Sequence, residues 1–236
     1  MNDISEISEN VRRVLENIDE AARRTGRRGE DITLVAATKM NDAERVQAAV
    51  RAGVKVCGEN RVQELLEKDA QLAYEGAQLH FIGHLQRNKA KSVVGRVELI
   101  QSVGSIELLQ VINSLAEKKG ITQDVLIEIN IGREASKTGI FPEELDRFTD
   151  SAAGFGSVRV LGLMAIPPAL CSRDEKRRFF SRMEELFVDM RDKKYDNSCV
   201  RLLSMGMSDD YCDAIEMGAN MVRVGTGIFG RRNYNL

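Results

Sequence analysis

The sequence lacks any apolar run long enough to cross a lipid bilayer. Its first 20 residues also lack the apolar core of a secretory signal, and they carry several acidic side chains, which argues against a transit peptide. Hydrophobic residues make up 43% of the 236 positions, which is enough for a sizeable core. We therefore expect a cytoplasmic protein that does not bind membranes.

Cysteine and histidine are scarce, which limits the metal chemistry available to the chain. No pair of cysteines has the C-x-x-C spacing of a zinc site, and the only two histidines are His80 and His84. We therefore expect no metal site. Free thiols in a reducing compartment are expected at the four cysteines, Cys57, Cys171, Cys199 and Cys212.

Neither sign of charge is in clear excess. The chain has 34 basic and 36 acidic residues, which gives a net charge of −2. Because these charges are spread along the chain, no overall field attracts a polyanion or an anionic surface. We therefore expect no nucleic-acid partner and no membrane partner.

Short apolar runs alternate regularly with amphipathic stretches along the chain. The runs predict eight buried strands, and the spaced apolar residues between them predict helices, one of them around residues 85–94. An extra amphipathic helix precedes the first strand and ends near Gly26. The predicted strands are 32–39, 54–57, 79–82, 97–100, 125–130, 158–164, 200–203 and 221–224.

This alternation predicts parallel strands joined by right-handed crossovers, and eight such units are the number that closes into a barrel. An open doubly wound sheet is the alternative, but the G-x-G-x-x-G fingerprint expected after its first strand is missing. No linker divides the chain. We predict an α/β protein with a single (β/α)8 TIM barrel domain over residues 1–236 and an extra N-terminal helix.

Lys39 ends the first predicted strand. The carboxyl ends of barrel strands form the ligand-binding face, so Lys39 is expected at its mouth. Apolar neighbours lower the pKa of a lysine by disfavouring the ammonium, and the neutral amine can attack an aldehyde. Lys39 is thus a candidate Schiff-base former. The alternative is an ordinary solvated strand end.

The loops after the seventh and eighth strands are rich in glycine and hydroxyl groups. They read Ser-Met-Gly-Met-Ser-Asp over residues 204–209 and Gly-Thr-Gly-Ile-Phe-Gly over residues 225–230. In barrels these two loops commonly hold a phosphate through backbone N–H groups, which glycines allow to approach closely. Alternatively, the same residues only make turns and cap helices.

Arg223 is an unusual residue for the middle of an apolar strand. Alternation places it on the same side as Met221. If that side is the barrel interior, the guanidinium needs an acceptor such as a carboxylate, a phosphate or a ring nitrogen. If it is the outside, an acid such as Glu216 can pair with it.

An amine on strand one, a phosphate loop pair and an arginine near the mouth are together what pyridoxal phosphate (PLP) requires. At this point the sequence resembles the pyridoxal phosphate homeostasis proteins (the YggS/PROSC family). Its Phe-Ile-Gly-x-Leu-Gln-x-Asn-Lys and Ser-Met-Gly-Met-Ser blocks are long and specific. The resemblance spans nearly the whole chain, through residues 37–39, 58–60, 63–64, 80–89, 162–164, 203–208 and 222–230.

The resemblance implies a barrel like that of alanine racemase, with PLP held as an aldimine of Lys39. It further implies that Arg223 donates to the pyridine nitrogen and that Asn60 lies near the ring. An N–H donor at that nitrogen disfavours its protonation, which makes the ring a poor electron sink. Phosphate-binding positions are implied at Ser204, Gly225 and Thr226.

The function that the resemblance implies is intracellular PLP homeostasis, by buffering or delivery, with no catalytic residues. It also suggests PLP-dependent apo-enzymes as recipients, and we expect a monomer. The main alternative is a PLP-dependent amino-acid racemase, which needs a base on each face of the α-carbon. We expect no second domain to supply that second base. A class I aldolase using Lys39 without a cofactor is a further alternative.

The sequence leaves the roles of three other polar residues open. His80 falls at the start of a strand and His84 just after it, so the two do not share a face, which favours a structural or ring-adjacent role over acid–base catalysis. Lys137 is either a second amine at the mouth, as the family pattern suggests, or a solvated loop lysine.

Overall fold

The computed structural model describes residues 4–193, 195 and 198–230. All eight predicted strands form, and they pair in parallel and in sequence order into a closed barrel in which β1 also pairs with β8. The TIM barrel prediction is therefore confirmed. The strands are β1 (Thr33–Ala37), β2 (Val56–Glu59), β3 (Gln78–Phe81), β4 (Leu99–Val103), β5 (Gln123–Ile129), β6 (Val158–Ala165), β7 (Ser198–Ser204) and β8 (Met221–Val224).

Helices surround the barrel, as the amphipathic spacing predicts. No helix in the described part of the chain is both long and apolar enough to cross a membrane. The α-helices are α1 (Ile4–Arg23), α2 (Ala43–Arg51), α3 (Val62–Asp69), α4 (Ile106–Lys118), α5 (Leu145–Ala152), α6 (Arg173–Lys193), α7 (Tyr211–Glu216) and α8 (Thr226–Phe229).

The segment after β3 differs from the prediction. Instead of an α-helix over residues 85–94, the chain forms a 3₁₀ helix, Arg87–Ser92. The segment contains Asn88 and Ser92, which are weaker helix formers than leucine or glutamate, and it is too short to offset a costly helix nucleus. Only Ala90 of this 3₁₀ helix is buried.

Helix α1 covers the outside of the barrel where β8 meets β1. Its apolar stripe, Ile7, Val11, Val14 and Ile18, is buried, and the helix packs on α2, α7 and α8. The extra N-terminal helix is thus confirmed. It supplies the cover that the four-residue α8 is too short to give.

The barrel interior changes character from bottom to top. Its lower part is an apolar cluster that includes Val35, Val56, Leu99, Leu126 and Met221. Above it, buried polar side chains project from the upper halves of five strands. They are His80, Gln101, Glu128, Ser204 and Arg223.

Candidate functional site

Lys39 lies just beyond β1, and its side chain is half-buried. Val35 and Ala37 pack on the interior cluster, whereas the Thr38 hydroxyl donates to Glu59 in the outer layer. Lys39 follows in the turn at the carboxyl end of β1, and an orientation of its side chain toward the barrel interior stays a prediction. The adjacent strands are β2 and β8.

Arg223 is directed into the barrel, which decides between its two interpretations. Its side chain is 4% exposed, and it donates to the Ser204 hydroxyl and, at 3.0 Å, to the carbonyl oxygen of Ala165. Burial lowers the pKa of Arg223 to about 10, so the guanidinium stays charged at neutral pH. The outward pairing with Glu216 is wrong. That carboxylate instead pairs with Arg24 and Arg177.

A chain of hydrogen bonds crosses the barrel from Arg223 to His80. The Ser204 hydroxyl accepts from Arg223 and donates to Gln101 Oε1 at 2.7 Å. Gln101 Nε2 lies 3.0 Å from His80 Nδ1. Burial lowers the pKa of His80 to about 4, so the ring is neutral and its Nδ1 can accept from the amide. The arrangement holds the guanidinium in one orientation.

Sequence reasoning missed Gln101 in this network. The signal that could have found it is its alternation with Leu99, which puts a polar residue on the interior side of an apolar strand. The network also gives Ser204 partners inside the barrel. Its assignment to phosphate stays a prediction.

Ser208 is the hydroxyl that lies at the glycine loop after β8. Its Oγ accepts from the backbone N–H of Gly225 at 3.1 Å and of Gly227 at 3.2 Å. Thr226 lies between these glycines and is exposed. The structure therefore brings Gly225 and Thr226 together with Ser208. Because both N–H groups donate to Ser208 Oγ, the donors that this surface offers an oxyanion are the hydroxyls of Ser208 and Thr226.

Gly206 allows the loop after β7 to reach this surface. Its φ is +90°, a conformation that favours glycine, and an added Cβ would lie 2.5 Å from the Cβ of Ala214. Its carbonyl accepts from the backbone N–H of Arg223 at 3.1 Å. The two loops are thus tied together at the end of β8.

Asn60 follows β2, and its Oδ1 is buried with no hydrogen-bond partner. Its backbone is fixed against Gly83, where an added Cβ would lie 2.1 Å from the Asn60 carbonyl oxygen. A buried acceptor without a donor costs free energy, so it marks a place where a ligand donor is favourable.

Glu128 is the carboxyl group of the interior polar layer. It is 8% exposed and accepts from the Thr138 hydroxyl at 3.0 Å. Burial raises the pKa of Glu128, and the bond from Thr138 opposes this shift. The neighbouring Lys137 forms an ion pair with Glu134 at 2.6 Å and donates to the Pro167 carbonyl at 3.0 Å. Lys137 is therefore fastened to the loop after β6.

A cleft of about 930 Å³ opens between the loops that follow β3, β4 and β5. His84 lines this cleft, whereas His80 lies in the barrel interior, so the two histidines do not share a face. The cleft also includes Thr138, the partner of Glu128. Thr138 thus connects the wall of this cleft to the interior polar layer through its bond to Glu128.

The four cysteines form no disulfide in the described part of the chain. All four are free thiols, and burial raises the pKa of Cys57 to about 12, which keeps that thiol protonated. Within residues 4–193, 195 and 198–230, no group of three or more His, Cys, Asp or Glu side chains could hold a metal ion.

Comparison with known proteins identifies the family of this chain. A family model for the N-terminal domain of alanine racemase matches residues 10–233. A protein of Aquifex aeolicus, named pyridoxal phosphate homeostasis protein, is 42% identical over 226 residues, which cover 96% of this chain and 98% of that protein. The chain belongs to the family of pyridoxal phosphate homeostasis proteins. The family predicted from the sequence motifs is thus confirmed.

Solved structures agree with this family assignment. An unknown protein from Bifidobacterium adolescentis superposes with a TM-score of 0.91 at 35% identity, covering 97% of each chain. PipY of Synechococcus elongatus with PLP bound gives a TM-score of 0.79 at 29% identity, covering 90% of this chain and 100% of PipY. The barrel of this homeostasis-family chain is therefore shared with a solved PLP-bound protein.

Proposed function

We propose that this protein binds PLP as a Schiff base of Lys39 and acts in PLP homeostasis, by buffering or delivery, without committed turnover. The observation that carries the proposal is the buried Arg223 guanidinium, which lies between the strand that leads to Lys39 and the loop that follows Ser204. Support also comes from the PLP-bound relative PipY. Delivery to PLP-dependent apo-enzymes, a monomeric state and a cytoplasmic location stay predictions.

The described residues suit the three polar features of PLP. The neutral Lys39 amine adds to the aldehyde carbon and one water leaves, so that a C=N bond replaces the C=O bond. The phosphate fits the surface formed by Ser208, Gly225 and Thr226. The unpartnered Oδ1 of Asn60 suits a hydroxyl donor near the ring.

Arg223 favours a carrier over an enzyme. Bonds to Ser204 and Ala165 fix the guanidinium and leave further N–H groups that can donate to the pyridine nitrogen. A cationic donor disfavours protonation of that nitrogen, so the ring withdraws electrons weakly from a bound amino acid. Carbanion chemistry is thereby discouraged, while reversible imine exchange is not.

The direct test is the absorption spectrum of the purified protein after incubation with PLP. We expect a band from the Schiff base that disappears on borohydride treatment, and a matching mass increment on the peptide that contains Lys39. Lys39→Ala serves as the control and should show neither. A mass increment on a different lysine would contradict the assignment of Lys39.

The racemase alternative is tested on the same preparation. PLP-loaded protein is incubated with single enantiomers of amino acids, and their chirality is followed with time. We expect the enantiomeric composition to stay constant. Steady loss of chirality at the rate of an enzyme would favour the racemase instead.

Phosphate recognition leads to a further prediction. Ser208→Ala combined with Thr226→Ala removes two hydroxyls from the proposed phosphate surface. Hydrogen bonds to charged partners contribute roughly 1.5 to 3 kcal/mol each, so PLP affinity should fall about a hundredfold or more. Affinity for pyridoxal, which has no phosphate, should change little. Titration with both compounds, followed by absorbance, measures the difference.

Ser204→Ala separates the two roles available to Ser204. If it acts through Arg223, as its hydrogen bonds indicate, the substitution should weaken PLP and pyridoxal by a similar factor. If it binds phosphate, as the family pattern implies, only PLP should bind more weakly.

Equal PLP affinity in the wild type and in the Ser208→Ala/Thr226→Ala variant would exclude the proposed phosphate surface.

A further inference from the structure

A buried ionic cluster lies in the outer layer directly behind Lys39. We call Thr38, Glu59, Lys68 and Tyr74 the Glu59 cluster. One oxygen of Glu59, Oε1, accepts from the Thr38 hydroxyl at 2.6 Å, from Lys68 Nζ at 2.6 Å and from the Tyr74 hydroxyl at 3.1 Å. The cluster joins β2, helix α3 and the residue that precedes Lys39.

Burying the charges of the Glu59 cluster costs free energy. Glu59 is fully buried, Lys68 is 6% exposed, and the second oxygen of Glu59 has no hydrogen-bond partner. Removing two charges from water costs free energy that their attraction often does not recover, and apolar side chains can fill the same space as well or better. Stability alone therefore does not account for an ion pair here.

The cluster holds the backbone on the amino side of Lys39. Lys68 Nζ donates to the carbonyl oxygen of Thr38 at 2.8 Å, while Glu59 accepts from the hydroxyl of the same residue. Thr38 N also donates to the Gly58 carbonyl at 2.9 Å. Thr38 is therefore tied to β2 and α3 through its backbone and its side chain.

The backbone on the carboxyl side of Lys39 is held by the same helix. Met40 has a φ of +60°, which is uncommon for a residue with a long side chain, and its N–H donates to Glu64 Oε2 at 2.6 Å. Asn41 Nδ2 donates to the Lys39 carbonyl at 3.1 Å. Strained backbone persists where the surroundings enforce it, often at functional sites. Here the enforcing group is a carboxylate on α3.

We propose that Glu59, Lys68 and Glu64, acting through Thr38 and Met40, are positioning residues that aim the Lys39 amine at the PLP aldehyde. This inference rests on the proposed function of Lys39. We call these three residues with Thr38 and Met40 the clamp. The clamp holds the peptide units on both sides of Lys39 to α3, so the side chain starts from one fixed backbone position. The amine then has less conformational freedom to lose when the C=N bond forms.

The test compares matched variants of the whole chain. Thr38→Val removes the hydroxyl that donates to Glu59, whereas Thr38→Ser keeps a hydroxyl at this position. Glu64→Leu removes the acceptor for Met40 N–H, and Glu64→Gln keeps a side-chain oxygen there. Glu67→Leu is the control on the exposed side of α3. The measurements are the rate constant for appearance of the borohydride-reducible band after PLP is mixed in, PLP affinity, and the melting temperature without PLP.

Misplacement of a reacting group by about 1 Å can cost about a hundredfold in rate. We expect Thr38→Val and Glu64→Leu to slow band formation about 10- to 100-fold. Thr38→Ser, Glu64→Gln and Glu67→Leu should react like the wild type. A structural role alone would lower the melting temperature without a matching loss of rate in the folded protein.

Three outcomes decide the matter. Slow band formation in folded Thr38→Val and Glu64→Leu, with recovery in the two conservative variants, supports the clamp. Wild-type rates in both would overturn it while leaving the role of Lys39 intact. Absence of the reducible band in the wild type would overturn the proposed function and the clamp together.

Discussion

Lys68→Met should lower the free energy of unfolding of the PLP-free protein by about 3 to 5 kcal/mol. The substitution leaves the Glu59 carboxylate in a fully buried position without its cation, and only the Thr38 and Tyr74 hydroxyls remain to donate to it. An uncompensated buried charge is among the most destabilising defects a single substitution can create. Urea denaturation at neutral pH measures the change.

Adding Glu59→Gln to Lys68→Met should recover most of this loss. The neutral amide no longer needs a cation, and its oxygen can still accept from Thr38 and Tyr74. Lys55→Met, a substitution of an exposed lysine, is the control and should change stability by no more than about 0.5 kcal/mol. A double variant as unstable as Lys68→Met alone would show that lost packing, and not charge, accounts for the defect.

Most of the fold was predictable because each strand is an apolar run with clear breaks on both sides. The predicted strands differ from the observed ones mainly at their ends. The first was expected to reach Lys39, but β1 ends at Ala37. The cause is the turn at Met40, whose positive φ could not be inferred from a residue that rarely adopts it. Local pattern therefore located the strand but not its last residues.

Side-chain partners were harder to predict than strands. Alternation placed the side chains of Arg223 and Met221 on the same side of the strand, but it could not say whether that side faced the interior. The pairing of β8 with β1 in the closed barrel, with Met221 in the interior cluster, shows that it does. The phosphate role of Ser204 stays a prediction, and its observed bond to Gln101 joins residues 103 positions apart in the sequence. No local pattern contains a contact of that separation. Side-chain hydrogen bonds between residues far apart in the sequence therefore become visible only in the three-dimensional structure.

The side-chain partners in the Glu59 cluster could not be predicted either, although Glu59 and Lys68 are close in the sequence. Lys68 lies on α3, whose apolar spacing predicts one buried face, and a lysine on a helix is ordinarily solvated. Its burial follows from the position of Glu59, a charged residue at the end of an apolar strand. Either residue alone suggests an exposed side chain. Only their 2.6 Å ion pair explains why both are buried.

Arg223→Glu should convert the proposed carrier toward an enzyme. A carboxylate in place of the guanidinium favours a protonated pyridine nitrogen, and the ring then withdraws electrons more strongly from a bound amino acid. We expect a shifted cofactor spectrum and faster exchange of the α-hydrogen of alanine in deuterated water, measured by NMR. An increase of about tenfold corresponds to about 1.4 kcal/mol of transition-state stabilisation.

Arg223→Met is the matched control, because it removes the cation without adding an acid. Its exchange rate should lie between those of the wild type and Arg223→Glu. PLP retention should fall in both variants, since each loses the donor to the ring nitrogen, so rates are compared at equal cofactor occupancy. Arg223→Glu also places a second carboxyl group in the interior layer that holds Glu128, which destabilises the PLP-free form. A folded, PLP-loaded Arg223→Glu protein with the wild-type spectrum and exchange rate would show that Arg223 does not face the ring nitrogen.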